Sequence, residues 1–126
     1  MNGLHLIADL HDCRCPPSLL LDAPVLENFC IEACTRHGLT VVGRLFHTFH
    51  DLGGHPAGVT GAVVLAESHL AVHTWPEINS VTLDIYVCNF SGDNSARAHA
   101  LFEQVIATFS PVKLEKKEVA RGHLGD

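Results

Sequence analysis

The central segment VTGAVVLAESHLAVHTWPE, residues 59–77, contains two apolar runs with no glycine between them. The runs VTGAVVLA (59–66) and SHLAVHTW (68–75) are rich in β-branched residues, which predicts strands rather than a helix. The tetrapeptide PEIN (76–79) then turns the chain, and SVTLDIYVC (80–88) alternates apolar and polar residues as a strand does. Strands that follow one another so closely pair antiparallel. The segment therefore predicts three consecutive antiparallel strands.

The remaining elements lie on both sides of this segment. Further strands are predicted at 3–10, 39–49 and 112–120, and helices at 19–37 and 96–109. The resulting order β-α-β-β-β-β-α-β contains no repeat or linker, so residues 1–126 are predicted to form a single domain. We expect an α/β fold of the α+β type, a two-layer sandwich with a mostly antiparallel sheet and two helices on one face.

Composition and charge narrow the functional classes. The chain has 126 residues, of which 47% are hydrophobic and 17% charged, as in a globular protein with its own core. Its net charge of −6, without any cluster of Lys and Arg, argues against a nucleic-acid partner. No stretch reaches the roughly 20 apolar residues that a bilayer span requires, so no membrane association is expected.

The N-terminal residues and the cysteines bear on the cellular compartment. The sequence MNGLHLIADLHD (1–12) lacks the basic region of a signal peptide, which predicts a cytoplasmic protein. The five cysteines are an odd number. Without an export signal, we do not expect a disulfide framework.

One interpretation of the reactive side chains at 66–77 is a metal site. His69 and His73 are four residues apart, and on a helix they would share one face. In the predicted strand they lie about 13 Å apart, too far for one tetrahedral ion with bonds of about 2 Å. Weaker candidates are the HDCRC sequence at 11–15 and three histidines in or beside the loop at 50–59, namely His47, His50 and His55. We therefore predict no metal site.

The other interpretation is a serine that attacks its own peptide bond. Ser68 has no G-x-S-x-G elbow around it and no evident triad, which disfavours a conventional hydrolase. Attack on the carbonyl of Glu67 would instead form an ester, and β-elimination and hydrolysis would then leave a pyruvoyl group. The intramolecular placement supplies a large effective molarity. The reaction also needs an acid/base group and donors for the oxyanion.

A resemblance that covers nearly the whole chain supports this second interpretation. The block ESHLAVHTWPE (67–77) is preceded by GVTGAVVLA and followed by a strand that ends in Cys88. HLIADL near the start, RLFHTFH at 44–50 and EVARG near the end extend the pattern. Together these sequences resemble the bacterial S-adenosylmethionine decarboxylase proenzyme family.

The resemblance implies a fold, an activity and a cofactor. It implies a two-layer α/β enzyme that cuts itself between Glu67 and Ser68 into a β chain (1–67) and an α chain (68–126). Ser68 then becomes a covalent pyruvoyl cofactor, an electron sink for the decarboxylation of S-adenosylmethionine to the aminopropyl donor of spermidine biosynthesis. A dimer of cleaved protomers is also implied.

The resemblance also assigns roles to individual residues. Ser68 matches the pyruvoyl precursor, His73 the histidine that assists processing, and Cys88 the cysteine that protonates the decarboxylated carbon. Thr60 stands where family members have Ser or Thr, and we expect it to support processing. Ser68 and His73 are five residues apart, so strand alternation places them on opposite faces. Their cooperation requires a bend, a bulge or a contact across strands.

The expected substrate contacts are Phe49 and Glu77. Phe49 resembles the aromatic residue that stacks on the adenine of the substrate, and Glu77 is a candidate polar contact beside it. Aromatic faces also attract a sulfonium cation. We expect His69 to be structural and Trp75 to lie in the core.

Two alternatives remain open at this point. A pyruvoyl group also serves decarboxylases of free amino acids such as ornithine or arginine, and a non-catalytic paralogue would bind a ligand or a partner subunit. The intact Glu67-Ser68 pair, His73 and Cys88 argue against the paralogue. The loop at 50–59 looks longer than in compact family members and is expected to lie beside the substrate pocket.

Overall fold

The computed structural model describes residues 2–122, which form one sheet, three helices and a short 3₁₀ turn. The strands are β1 (Gly3–Cys13), β2 (Val41–His50), β3 (Pro56–Leu65), β4 (Ser68–Trp75), β5 (Ser80–Cys88) and β6 (Pro111–Arg121). The helices are α1 (Ser18–Leu21), α2 (Ala23–Arg36) and α3 (Ser95–Phe109), and the 3₁₀ turn is Pro76–Ile78.

The six strands form one sheet in the order β2-β3-β4-β5-β1-β6. Every neighbouring pair is antiparallel, and β3 and β4 are joined by only Ala66 and Glu67. The N-terminal strand β1 lies between β5 and β6, so it connects the central hairpin to the C-terminal edge. The predicted antiparallel sheet and α+β class are confirmed.

The hydrophobic core lies between the helices and one face of the sheet. Leu70 and Val72 of β4, and Leu83 and Ile85 of β5, are buried at alternate positions of their strands. Helix α3 adds Leu101, Phe102, Val105 and Phe109 to the same core. Burial of each such side chain is worth about 1.5–3 kcal/mol. The intervening strand residues lie on the other face of the sheet, which we call the open face.

The helix predicted at 19–37 is wrong in one respect, because it is two helices that meet at Asp22. Asp22 has an extended backbone with φ −121° and ψ 106°, which ends α1. Its side chain accepts a hydrogen bond from the backbone N–H of Val25 and caps the start of α2. Pro24 is tolerated within the first turn of α2, where its missing N–H has no intrahelical partner to lose.

Thr74 joins three elements inside the core. The backbone N–H of Val59 donates to Thr74 Oγ1 at 2.8 Å, and Thr74 Oγ1 donates to the Leu20 carbonyl at 2.7 Å. A buried hydroxyl with both bonds made is well tolerated. These bonds tie α1, β3 and β4 together. They thereby also fix the part of β4 whose neighbouring side chains lie on the open face.

The open face carries several exposed apolar side chains. They are Leu45, Phe49, Val64, Trp75 and Val119. Trp75 is 46% exposed, so its expected place in the core is wrong: β4 alternation puts Thr74 inside and Trp75 outside. Within residues 2–122, none of the helices has the length and hydropathy to cross a bilayer.

Candidate active site

The Glu67–Ser68 peptide bond lies at the tight connection between β3 and β4. Leu65 pairs with Ser68, which leaves a loop of only two residues. Glu67 has φ 64°, a left-handed conformation that is unfavourable for a residue with a side chain. Its carboxylate accepts hydrogen bonds from the hydroxyl and, at 3.3 Å, the backbone N–H of Ser91. Contacts outside the hairpin therefore hold this strained residue in place.

The hydroxyl of Ser68 is buried without a partner. Ser68 is 7% exposed. Among the buried side-chain oxygen and nitrogen atoms of the described residues, Ser68 Oγ is the one that makes no hydrogen bond. Buried hydroxyls in folded proteins are nearly always bonded. An unbonded oxygen adjacent to the Glu67 carbonyl is available to react without first breaking a hydrogen bond.

Cys88 lies at the same end of the sheet as Ser68. Ser68 pairs with Val87 on β5, so the backbone of Cys88 is one residue beyond this pair. Cys88 is buried, and its carbonyl accepts a hydrogen bond from Asn94 Nδ2 at 3.2 Å. The structure thus brings Ser68 and Cys88 onto adjacent strands, and we call the set Glu67, Ser68, Cys88 and Ser91 the scissile cluster.

His73 and Thr60 form a second, separate pair. They lie directly opposite each other on β4 and β3, and His73 Nδ1 is 2.5 Å from Thr60 Oγ1. Both residues are on the open face, where His73 is exposed. An imidazole whose Nδ1 is bonded to a hydroxyl keeps its Nε2 available for proton transfer.

A cavity of about 340 Å³ surrounds this pair. Four residues nominated from the sequence line it, namely Phe49, Thr60, His73 and Glu77, together with Trp75 and residues of β3 and β4. The ring of Phe49 contacts the edge of His47, with 4.7 Å between ring centroids. The volume falls within the range of about 300–1,000 Å³ typical of small-molecule sites.

The structure keeps the cavity apart from the scissile cluster. Ser68 and His73 are separated by five residues along β4, about 16 Å at the rise of a strand. They also lie on opposite faces, because Ser68 is buried on the helix side and His73 is on the open face. The separation expected from strand alternation is present, and neither a bend nor a bulge within β4 removes it.

Sequence reasoning missed two residues of these sites. Trp75 lies inside the recognised motif, and strict alternation from the exposed His73 would have placed it on the open face. Ser91 carried no local signal, since its bond to Glu67 spans 24 residues of sequence.

The chain matches one known family over most of its length. The model of the family described as S-adenosylmethionine decarboxylase matches residues 4–122. The S-adenosylmethionine decarboxylase proenzyme of Picrophilus torridus is 38% identical over 122 residues, which cover 95% of this chain and 84% of that protein. The proenzyme of the same name from Hydrogenobaculum sp. is 34% identical over 124 residues, 98% of this chain and 84% of that protein.

A solved structure agrees with these matches. The crystal structure of the adenosylmethionine decarboxylase from Aquifex aeolicus superposes with a TM-score of 0.82 at 28% identity. The alignment covers 98% of this chain and 93% of that chain. Sequence and fold therefore point to the same group of enzymes, and the resemblance inferred from the motif is confirmed. This chain belongs to the S-adenosylmethionine decarboxylase family.

Proposed function

We propose that this protein cuts itself between Glu67 and Ser68 and then decarboxylates S-adenosylmethionine to the aminopropyl donor for spermidine biosynthesis. The observation that carries the proposal is the buried, unbonded Ser68 hydroxyl beside the left-handed Glu67. A purely structural serine at this depth would be hydrogen-bonded.

The cleavage uses atoms of the chain alone. Ser68 Oγ attacks the Glu67 carbonyl carbon, the C–N bond breaks, and the Ser68 nitrogen takes up a proton. The resulting ester loses the Cα proton of residue 68, and the Cβ–O bond breaks so that its electron pair leaves with the new Glu67 carboxylate. Water then adds to the dehydroalanine in its imine form, ammonia departs, and a pyruvoyl group remains at the start of 68–126.

The scissile cluster fits a pyruvoyl group. Once formed, this group supplies an electron sink for the pair of electrons left when CO₂ departs. The Ser68 side chain itself is shielded from bulk water, whereas Glu67 before it is exposed. Cys88, one residue beyond the Ser68–Val87 pair, is the residue we assign to protonate the substrate carbon that has lost CO₂.

Replacement of Cys88 by alanine should separate cleavage from turnover. The variant is expected to yield fragments 1–67 and 68–126 but to lose most decarboxylation, by about 10²–10⁴-fold for loss of a proton donor. Labelled CO₂ release measures turnover, and gel electrophoresis measures cleavage. Cys15→Ala is the matched control, since Cys15 is a partly exposed thiol on the segment after β1. Full turnover in Cys88→Ala would remove Cys88 from the reaction.

The cavity at the other end of β4 suits the adenosyl sulfonium part of the substrate. Phe49 and Trp75 offer aromatic faces for the purine and for the positive sulfur, and the Glu77 carboxylate offers a hydrogen-bond acceptor and a negative charge. A diamine or guanidinium tail would be matched better by several carboxylates. The residues that line the cavity include one acidic side chain, that of Glu77.

Phe49→Ala is expected to raise KM for S-adenosylmethionine by about 5–100-fold, which corresponds to about 1–3 kcal/mol for one aromatic stack. The rate of self-cleavage should not change, because Phe49 lies outside the scissile cluster. Val112→Ala removes another exposed apolar side chain, at the start of β6, and should leave KM unaltered. An unchanged KM in Phe49→Ala would place the adenine elsewhere.

We also propose that two protomers assemble through their open faces. The cavity and the scissile cluster are about 16 Å apart within one protomer, so His73 does not reach the bond that it is assigned to help cleave. A homodimer allows the His73–Thr60 pair of one protomer to serve the Glu67–Ser68 bond of the other. The exposed apolar residues of the open face, such as Leu45 and Val64, support this arrangement because contact would remove them from water.

We further propose a cytoplasmic location and no nucleic-acid partner. The net charge of −6 is unsuited to a phosphate backbone. Cys13, Cys15, Cys30 and Cys34 form no disulfides, as in proteins of a reducing compartment. Burial raises the pKa of the Cys34 thiol to about 12, which keeps it protonated and unreactive.

The experiment that tests the activity is release of labelled CO₂ from carboxyl-labelled S-adenosylmethionine, ornithine and arginine by the cleaved protein. We expect release from S-adenosylmethionine alone. Release from an amino acid instead would contradict the substrate while leaving self-cleavage intact. No release from any of the three by fully cleaved protein would contradict the activity itself.

A further inference from the structure

Three side chains that the proposed reaction does not use meet on the open face. His5 is on β1, His69 on β4 and Asp84 on β5, the strand between those two. His5 and His69 both pair with Tyr86, and Asp84 is two residues before Tyr86 on the same face. Register thus brings two imidazoles and a carboxylate together from three adjacent strands, and we call this set the open-face triad.

The triad has the spacing of a ligand set. Asp84 Oδ2 is 3.0 Å from His5 Nε2 and 3.7 Å from His69 Nε2. One candidate ligand atom from each residue lies within 4.8 Å of the other two. In a tetrahedral site with bonds of about 2.0–2.2 Å, ligand atoms are about 3.3–3.6 Å apart. Side-chain movements of about 1 Å would therefore bring the three ligand atoms to the spacing of a metal site.

We propose that His5, His69 and Asp84 bind one divalent transition-metal ion of the Zn²⁺, Co²⁺ or Ni²⁺ class. Two imidazole nitrogens favour these ions over Mg²⁺ and Ca²⁺, which prefer oxygen ligands. In the separate protomer the side chains are 18%, 42% and 32% exposed, respectively, so an ion can reach the ligand atoms before the open faces of two protomers meet. The site lies on three strands, which hold ligands more precisely than loops do.

Arg121 sets the affinity of the triad. Its NH1 atom is 3.1 Å from His5 Nδ1, and its guanidinium carbon is 4.9 Å from the centre of the Tyr86 ring. A guanidinium only donates, so His5 Nδ1 accepts and the ring proton is on Nε2, from which it is donated to Asp84. Metal binding at Nε2 requires the proton to move to Nδ1 and Arg121 to withdraw from it. Arg121 thus opposes binding through both its hydrogen bond and its charge.

The sequence offered no route to this site. His69 was considered only with His73, its neighbour on the same strand. Its actual neighbours, His5 and Asp84, are 64 and 15 residues away in the sequence and meet it only because β5 lies between β1 and β4. The inference does not depend on the proposed decarboxylation, because the same triad is present whether or not the chain is cut.

The test is a Co²⁺ titration of untagged protein after treatment with EDTA, in both the wild type and the uncut Ser68→Ala chain. We expect one ion per chain, visible d–d absorption and no thiolate charge-transfer band. Asp84→Asn and His5→Gln should each weaken binding by more than about 100-fold, beyond the loss typical of an outer-shell partner. Arg121→Met should strengthen binding severalfold.

His11→Gln is the matched control. His11 is also on β1 and the open face, with its Nε2 3.4 Å from Glu115 Oε2, but it forms a pair without a third ligand. The His11→Gln substitution should leave the affinity for Co²⁺ unchanged. Circular dichroism confirms that each variant is folded, and the gain in Arg121→Met tests the site without removal of a ligand. Absence of binding in the wild type, equal binding in His5→Gln, or a thiolate band would each overturn the proposal.

Discussion

Replacement of Ser68 by alanine is expected to leave one uncut chain of 126 residues, whereas the wild type separates into fragments 1–67 and 68–126. Alanine has no oxygen to attack the Glu67 carbonyl, so the expected effect is complete loss of cleavage. The variant should fold, because Ser68 Oγ makes no hydrogen bond within the described structure. Removal of an unbonded buried hydroxyl leaves no new unsatisfied group.

Intact mass spectrometry and N-terminal sequencing provide the measurement. The wild-type fragment 68–126 should be blocked to sequencing, since a pyruvoyl group has no free amine. Ser80→Ala is the matched control: Ser80 is also 7% exposed, but its hydroxyl donates to the Ile78 carbonyl at 3.0 Å. It should be cleaved as the wild type is. A wild-type protein that persists as one chain after long incubation would refute self-cleavage.

Replacement of His73 by alanine should slow cleavage by about 10²–10⁴-fold, the usual contribution of a general acid or base. Thr60→Ala should slow it less, because Thr60 orients the imidazole through Nδ1 and does not itself transfer the proton. His99→Ala serves as the control, since His99 lies on α3 and pairs with Glu118. The rate is followed as the disappearance of the uncut chain on gels.

Mixing two inactive variants tests whether His73 acts across the proposed dimer. The Ser68→Ala chain keeps His73 but has no bond to cut, and the His73→Ala chain keeps Glu67–Ser68 but lacks the imidazole. Co-refolded or co-expressed, the pair should produce fragment 68–126 from the His73→Ala chain alone. If mixed dimers form without any cleavage, His73 does not act between protomers, and the division of the site between two chains is wrong. Such a failure would leave the Ser68 result untouched.

The strands and the family were predictable because local sequence carries the evidence for both. Alternation in SHLAVHTW and SVTLDIYVC predicted β4 and β5, and the motif around Glu67–Ser68 indicated the family. The same period of two predicted that Ser68 and His73 occupy opposite faces. The break at Asp22 was not predicted, since its start signal lay inside a continuous apolar pattern, and only the extended backbone there separates α1 from α2.

By itself, the sequence determined the antiparallel sheet, the family and the separation of Ser68 from His73 on opposite faces of the sheet. Tertiary structure alone decided the partners that come from distant strands: Thr60 opposite His73, Ser91 on the Glu67 carboxylate, and the open-face triad. The reason is the range of the forces involved. Side-chain alternation and turn formation depend on residues within a few positions, whereas a hydrogen bond such as that between His5 and Asp84 joins residues 79 apart and depends on strand order and register.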